Sequence, residues 1–126
     1  MEMNILVKIL VIAIGMAILD LPWLYIQGPW VQDFVRDIQA GRSMNVRMWA
    51  GIPVYLALAY LVTQQISAPR AFLTGLCVYA VYDFTQLFVF DQYPVTFAIL
   101  DSLWGGLLMA LAWWISHRAG LVAADK

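Results

Sequence analysis

The sequence predicts an all-α membrane protein: a four-transmembrane-helix antiparallel bundle, with a short amphipathic interfacial helix between the first and second spans. Three observations predict it. The chain is 63% hydrophobic and only 12% charged, against about 25% charged in soluble globular domains. Its apolar residues fall into four runs, each near the ~20 residues a helix needs to cross a bilayer core. The last two connections between runs are short, which makes neighbouring helices antiparallel. All 126 residues read as a single integral membrane domain.

The first span covers about residues 5–26. Lys8 and the apolar run after it have some look of a secretory signal, but the run continues past Asp20 to Ile26 and no small-x-small cleavage site follows. A retained span is therefore expected. Pro22 removes a hydrogen bond to the Ile18 carbonyl and predicts a kink. Gly28-Pro29 then opens the interfacial helix, about residues 29–40, because proline suits a first helical position. Trp30, Val31, Phe34, Val35 and Ile38 recur at helical spacing, Gln32, Asp33, Arg36, Asp37 and Gln39 take the opposite face, and Gly41 can end the helix. The second span, about 47–66, lies in the uncharged stretch between Arg47 and Arg70, with Pro53 freeing the Trp49 carbonyl. Gln64 to Arg70 joins it to the third span, about 71–90, and Asp91-Gln92-Tyr93-Pro94 leads into the fourth, about 95–116. Ala98, Ser102, Gly106 and Ala110 form a small-residue ridge on the fourth span that suits close helix packing. The tail from Gly120 to Lys126 reads as frayed.

Net charge is -1, so no basic excess attracts nucleic acid. Cys77 is the only cysteine, which excludes an intramolecular disulfide or a cysteine metal cluster, and it reads as a small packing residue. Trp30, Trp49, Tyr93, Trp113 and Trp114 lie near span ends, where an aromatic belt explains them without any ligand role. His117, beside Arg118, reads as a solvated terminus. The sequence has no phosphate-binding glycine loop and no nucleophile motif, so no cofactor and no metal are expected. The lipid bilayer is the expected partner. Lys8, Arg70, Arg118 and Lys126 fall on the N-terminal side of the spans and Arg36, Arg42 and Arg47 on the other, which favours both termini in the cytoplasm.

Three residues contradict this apolar pattern. Asp20, Asp83 and Asp101 each interrupt a hydrophobic run, and an ionisable group at a helix centre costs roughly 2.5–3.5 kcal/mol on insertion scales. Because the spans alternate direction, their depths are comparable. Asp20 precedes Ile26 by six residues, Asp83 precedes Phe90 by seven, and Asp101 follows Val95 by six. At ~1.5 Å per residue all three lie roughly 9–10 Å below one membrane face. They predict one polar layer, with Tyr55 at the same level and Gln86 one turn from Asp83. Leu19-Asp20-Leu21-Pro22-Trp23 and Leu100-Asp101-Ser102-Leu103-Trp104 share the pattern Leu-Asp-x-x-Trp. Each Asp and Trp share a helix face, so the indole N–H groups of Trp23 and Trp104 belong near the layer. The match hints at an inverted repeat.

Leu19-Asp20-Leu21-Pro22-Trp23-Leu24, Tyr82-Asp83-Phe84-Thr85-Gln86-Leu87 and Asp101-Ser102-Leu103-Trp104-Gly105 together carry a resemblance. In order and spacing, over nearly the whole chain, the sequence resembles the small bacterial membrane proteins of domain of unknown function 2177. It departs from the family pattern at Gln86, where Asn is usual, and at Pro22. The resemblance implies a four-span fold in a bacterial-type inner membrane. It adds weight to Asp20, Trp23, Tyr82, Asp83, Thr85, Gln86, Asp101 and Trp104, and implies no activity.

Three readings of the layer follow. No Lys, Arg or His inside the spans neutralises the acids, apart from Lys8 near the far end, so at least one aspartate is expected to hold a proton and the layer suits proton or small-cation handling. Four short spans give little room for transport, which would need a second copy of the chain. In the second reading the acids, Thr85, Gln86 and the indoles fix helix packing in a non-catalytic assembly protein. In the third, a carboxyl pair with Tyr82 or Tyr55 acts on a lipid or isoprenoid. A three-aspartate metal site is sparse for oxygen-loving cations, which take about six ligands. Convergence of the carboxyls on an accessible polar cavity separates the first and third readings from the second.

Overall fold

A computed structural model describes residues 3–123; Lys126 and the rest of the C-terminal end beyond 123 lie outside the described residues. Among the described residues the chain is all-helical: α1 (Ile5–Ile38), a 3-10 turn (Met48–Ala50), α2 (Gly51–Thr63), α3 (Ala68–Val89) and α4 (Val95–Arg118). Helices α1, α3 and α4 are each long and apolar enough to cross a membrane, and the shorter apolar stretch Met48–Thr63 completes the bundle.

The interfacial segment is helical, but it is not a separate element. α1 runs unbroken through Pro22, Gly28 and Pro29 for 34 residues, about 51 Å against a hydrocarbon core of about 30 Å. Pro29 deprives only the carbonyl of Tyr25, which is exposed. The stripe Trp23, Trp30, Val31, Phe34 and Ile38 keeps one helical face from the bundle into the extension, and that face packs on Phe97 and Tyr93. Tertiary packing therefore carries the helix past a sequence signal for a break. Asn4 caps its start by accepting from the Val7 N–H at 3.0 Å. Its end falls where Gly41 predicts: Ala40 and Gly41 both take positive φ, and the Gly41 N–H returns to the Arg36 carbonyl at 2.8 Å.

The second span is shorter than its apolar run. α2 has 13 residues, about 20 Å of helix, and the 3-10 turn before it replaces the first part of the expected span. Pro53 consequently sits in the first turn of α2, where no intrahelical donor is lost. The helix stops at Thr63 because Gln65 holds the next turn with its side chain. Gln65 donates to the Leu61 carbonyl at 3.0 Å and accepts from Thr74 Oγ1 at 3.1 Å, while its own carbonyl accepts from Trp113 Nε1 at 3.0 Å. Ser67 then caps α3 through the Arg70 N–H.

α3 and α4 form the tightest seam. A Cβ on Gly75 would overlap the Gly105 carbonyl, one on Gly105 would strike the Tyr79 ring, and one on Gly106 the Phe72 ring. Two buried clusters flank the middle of the bundle. Near the termini, Ile12, Met16, Leu58, Val62, Leu108, Met109 and Trp113 pack together; at the other end lie Phe34, Tyr93, Phe97 and Ala98. On α1, α3 and α4 alike, the aspartates fall between these clusters.

Several peripheral expectations change. Cys77 is exposed rather than packed. Trp113 is buried and stacks on His117 at 5.0 Å, and His117 Nδ1 approaches the Val122 carbonyl at 3.1 Å, so His117 belongs to the packed end of α4. Trp49 and Trp114 are exposed, but Trp30 packs edge-on against Phe97 and Tyr93 is buried. The aromatic belt thus explains only part of its proposed members. Helical periodicity placed Trp113 and Tyr93 near span ends without telling which side they face.

Candidate polar site within the bundle

Asp20, Asp83 and Asp101 are all buried, at 5%, 0% and 8% exposure. Each is tied to a different helix or turn. Asp20 on α1 accepts from the Tyr55 hydroxyl of α2 at 2.5 Å and from Trp104 Nε1 of α4 at 2.7 Å. Asp101 on α4 accepts from Trp23 Nε1 of α1 at 2.8 Å. Asp83 on α3 accepts from the Tyr93 hydroxyl at 2.6 Å.

The two Leu-Asp-x-x-Trp segments therefore exchange their indoles. Neither aspartate uses the tryptophan of its own motif: Trp104 reaches Asp20 and Trp23 reaches Asp101. The cause is direction. On antiparallel α1 and α4 the three-residue offset from Asp to Trp runs opposite ways, so each indole comes level with the partner's carboxyl. The two indoles stack between the carboxyls, with centroids 6.1 Å apart.

Asp83 differs. Its Oδ2 is buried without a hydrogen-bond donor, and the neighbouring group is the Asp101 carboxyl, within side-chain hydrogen-bonding reach. Tyr93 anchors the other oxygen from the α3–α4 turn. Burial first, and the bond to Asp83 second, push the Tyr93 phenol above its ordinary range, which keeps it a donor. Ser102, beside Asp101, is also within reach of Asp83, but its hydroxyl turns back to the Ala98 carbonyl at 2.7 Å, as serines in helices often do.

Asp20 and Asp101 also line a cleft of about 370 Å³ between the far half of α1 and the faces of α3 and α4. Its walls are aromatic: Trp23, Phe34, Tyr79, Tyr82, Phe90, Tyr93 and Phe97. Gln27, Gln39 and Gln86 add amides, and no Lys, Arg or His is among the lining residues. Gln27 Oε1 is buried there without a donor. A second hollow of about 780 Å³ runs between α1 and α2, mostly apolar, with Arg47, Tyr55 and Tyr82 in its wall.

Of the sequence candidates, Asp20, Trp23, Tyr82, Gln86 and Asp101 line the cleft, Tyr55 and Trp104 support Asp20 from behind, and Asp83 sits beneath without touching the opening. Thr85 is exposed and lines neither hollow. The carboxyls form no metal-ligand group among the described residues. Sequence reasoning missed Tyr93, which it assigned to the membrane edge, and Tyr79 and Gln27. Tyr79 carried a signal, since it lies one turn before Asp83 on the same face. Tyr93 carried none: only the closure of the α3–α4 turn brings a residue ten positions away back onto Asp83.

Long apolar helices around a buried carboxyl layer define a helical integral membrane protein. The sequence profile of the family described as predicted membrane protein (DUF2177) matches residues 5–117, and the chain belongs to that family. No curated protein and no solved structure matches it.

Proposed function

We propose that this membrane protein handles protons through the Asp83–Asp101 carboxyl pair. One observation carries the reading: Asp83 Oδ2 is buried without a donor, beside a second carboxyl. Two ionised carboxylates are acceptors only and repel one another, whereas one proton between them makes an O–H···O bond. Asp101 meets the cleft and Asp83 does not, so a proton enters at Asp101 and passes to Asp83 Oδ2, with Tyr93 holding Asp83 in register. Transport by so small a bundle would use a second copy to complete the path. The charge count of the loops, three cations at the Arg36–Arg47 end against Lys8, Arg70, Arg118 and Lys126 at the other, supports a bacterial-type inner membrane orientation with both termini in the cytoplasm.

Infrared spectroscopy of the protein in lipid, with proton flux measured in proteoliposomes, tests this. A protonated-carboxyl band is expected at neutral pH, and Asp83→Asn should remove both band and flux. Absence of the band in the wild type, or flux unchanged by Asp83→Asn, sinks the reading.

A second reading, a packing role, draws support from the exchanged indoles. Both oxygens of Asp20 already have donors from two other helices, which suits a bundle clasp better than a proton carrier.

A further inference from the structure

The cleft and the hollow between α1 and α2 are neighbours. Leu24 and Tyr82 line both. Tyr55, in the wall of the hollow, donates to Asp20, which lines the cleft. The two volumes, about 370 and 780 Å³, fall in the range of small-molecule sites, about 300–1,000 Å³. We infer that they form one composite site for a single-chain alkylammonium amphiphile, its cationic head in the cleft and its chain in the hollow.

Chemistry at the two ends sets the ligand and its direction. The cleft offers acceptors and rings and lacks a basic side chain. Asp20 and Asp101 line it, and a carboxylate has about four lone-pair sites, of which Asp20 uses two and Asp101 one with protein donors. Gln27 Oε1 is a third acceptor, buried and waiting for a donor. Aromatic faces beside these groups attract a cation through their quadrupoles. The hollow is apolar, which suits a hydrocarbon chain, and Arg47 is the charged residue in its lining. A cationic head is repelled there and attracted at the carboxyl end, so charge complementarity fixes the orientation. This inference deepens the proton-handling reading by naming a ligand for the cleft onto which Asp101 opens.

Isothermal titration calorimetry on the protein in a neutral detergent is the test. The probes are hexylammonium, hexyl sulfate (same chain, opposite charge) and methylammonium (head alone); both ammonium heads carry N–H donors for the cleft's acceptors. Hexylammonium should bind at least about tenfold more tightly than either control, and Asp101→Asn should weaken it by a similar factor. Ile52→Trp, at an exposed position that lines the hollow and not the cleft, should weaken hexylammonium and leave methylammonium unchanged. This variant keeps the test decisive if Asp101→Asn does not fold. Hexyl sulfate binding as tightly as the ammonium means apolar partitioning alone and overturns the inference, as does affinity indifferent to both substitutions. Asp83 is outside the cleft, so Asp83→Asn should keep ammonium binding while removing the protonated-carboxyl band. Loss of one result without the other tells the two proposals apart.

Discussion

Asp20 on α1 and Asp83 on α3 are the same residue at similar depth in the bundle, and the fold treats them differently. Asp20 has a donor on each oxygen, one from α2 and one from α4. Asp83 has one donor and an orphaned oxygen, with the Asp101 carboxyl as a neighbour. A buried carboxylate whose oxygens are both satisfied can act as a fixed strut, because its hydrogen bonds persist only while it stays an acceptor. A carboxyl with one unsatisfied oxygen beside a like group is completed by a proton. The contrast teaches that an intramembrane acid is not functional or structural by its type or depth: the donors around it decide. The largest effect that contrast implies is at Asp20. Asp20→Ala leaves the Tyr55 hydroxyl and the Trp104 N–H unpaired, at about 1–3 kcal/mol for each buried donor. Unfolding of the purified protein should show a loss of about 2 kcal/mol or more, clearly greater than for Asp83→Asn, which replaces one carboxyl oxygen by an amide nitrogen and keeps the side chain's shape. Equal losses from the two variants would erase the distinction.

The two sites can also be separated by moving a helix. The Asp83–Asp101 pair spans the α3–α4 seam, whereas the partners of Asp20 come from α2 and α4. A Cβ on Gly75 would overlap the Gly105 carbonyl, a backbone atom that no rotamer change can move aside. Gly75→Ala must therefore spread α3 from α4, and overpacking of this kind costs typically about 1–3 kcal/mol. The protonated-carboxyl band should shift or disappear, while solvent protection of the Tyr55 hydroxyl, followed by hydrogen exchange, should be unchanged. An unaltered band with altered Tyr55 would show that the seam does not hold the pair.

How much of this was legible in the sequence depended on distance along the chain. Asp20, Asp83 and Asp101 share a depth because helix rise and alternating direction are fixed by geometry, so counting residues from span ends sufficed to group them. Tyr55 fell at the right level by the same count. Partner identity was not legible, because it depends on how helices rotate about their axes. The sequence allied each tryptophan with its own motif, yet Trp23 and Trp104 serve each other's aspartates. Tyr93 reaches Asp83 only through the closure of the turn. The break expected at Gly28-Pro29 is absent because Trp30 and Phe34 gain more by packing on Phe97 and Tyr93 than the helix loses at the Tyr25 carbonyl. Local signals described backbone preferences there, and tertiary contacts outweighed them.

The smallest effect concerns the exchanged indoles. If the Leu-Asp-x-x-Trp segments form a true reciprocal clasp, the Trp23–Asp101 and Trp104–Asp20 bonds should be worth similar amounts, despite the extra donor that Asp20 has from Tyr55. Interhelical hydrogen bonds in membranes average ~0.6 kcal/mol and reach ~1.7, so each coupling is expected within that span. Two double-mutant cycles measure it: Trp23→Phe with Asp101→Asn, and Trp104→Phe with Asp20→Asn. Phenylalanine keeps an aromatic ring in the stack and removes the N–H. Similar couplings would make the clasp a symmetric structural element on which the Asp83 side of the layer is built. A coupling near zero for Trp23–Asp101 alone would mean that Asp101 is held chiefly by its partnership with Asp83, and the division between a structural and a proton-sharing carboxyl would then run between the α1 and α4 motifs themselves.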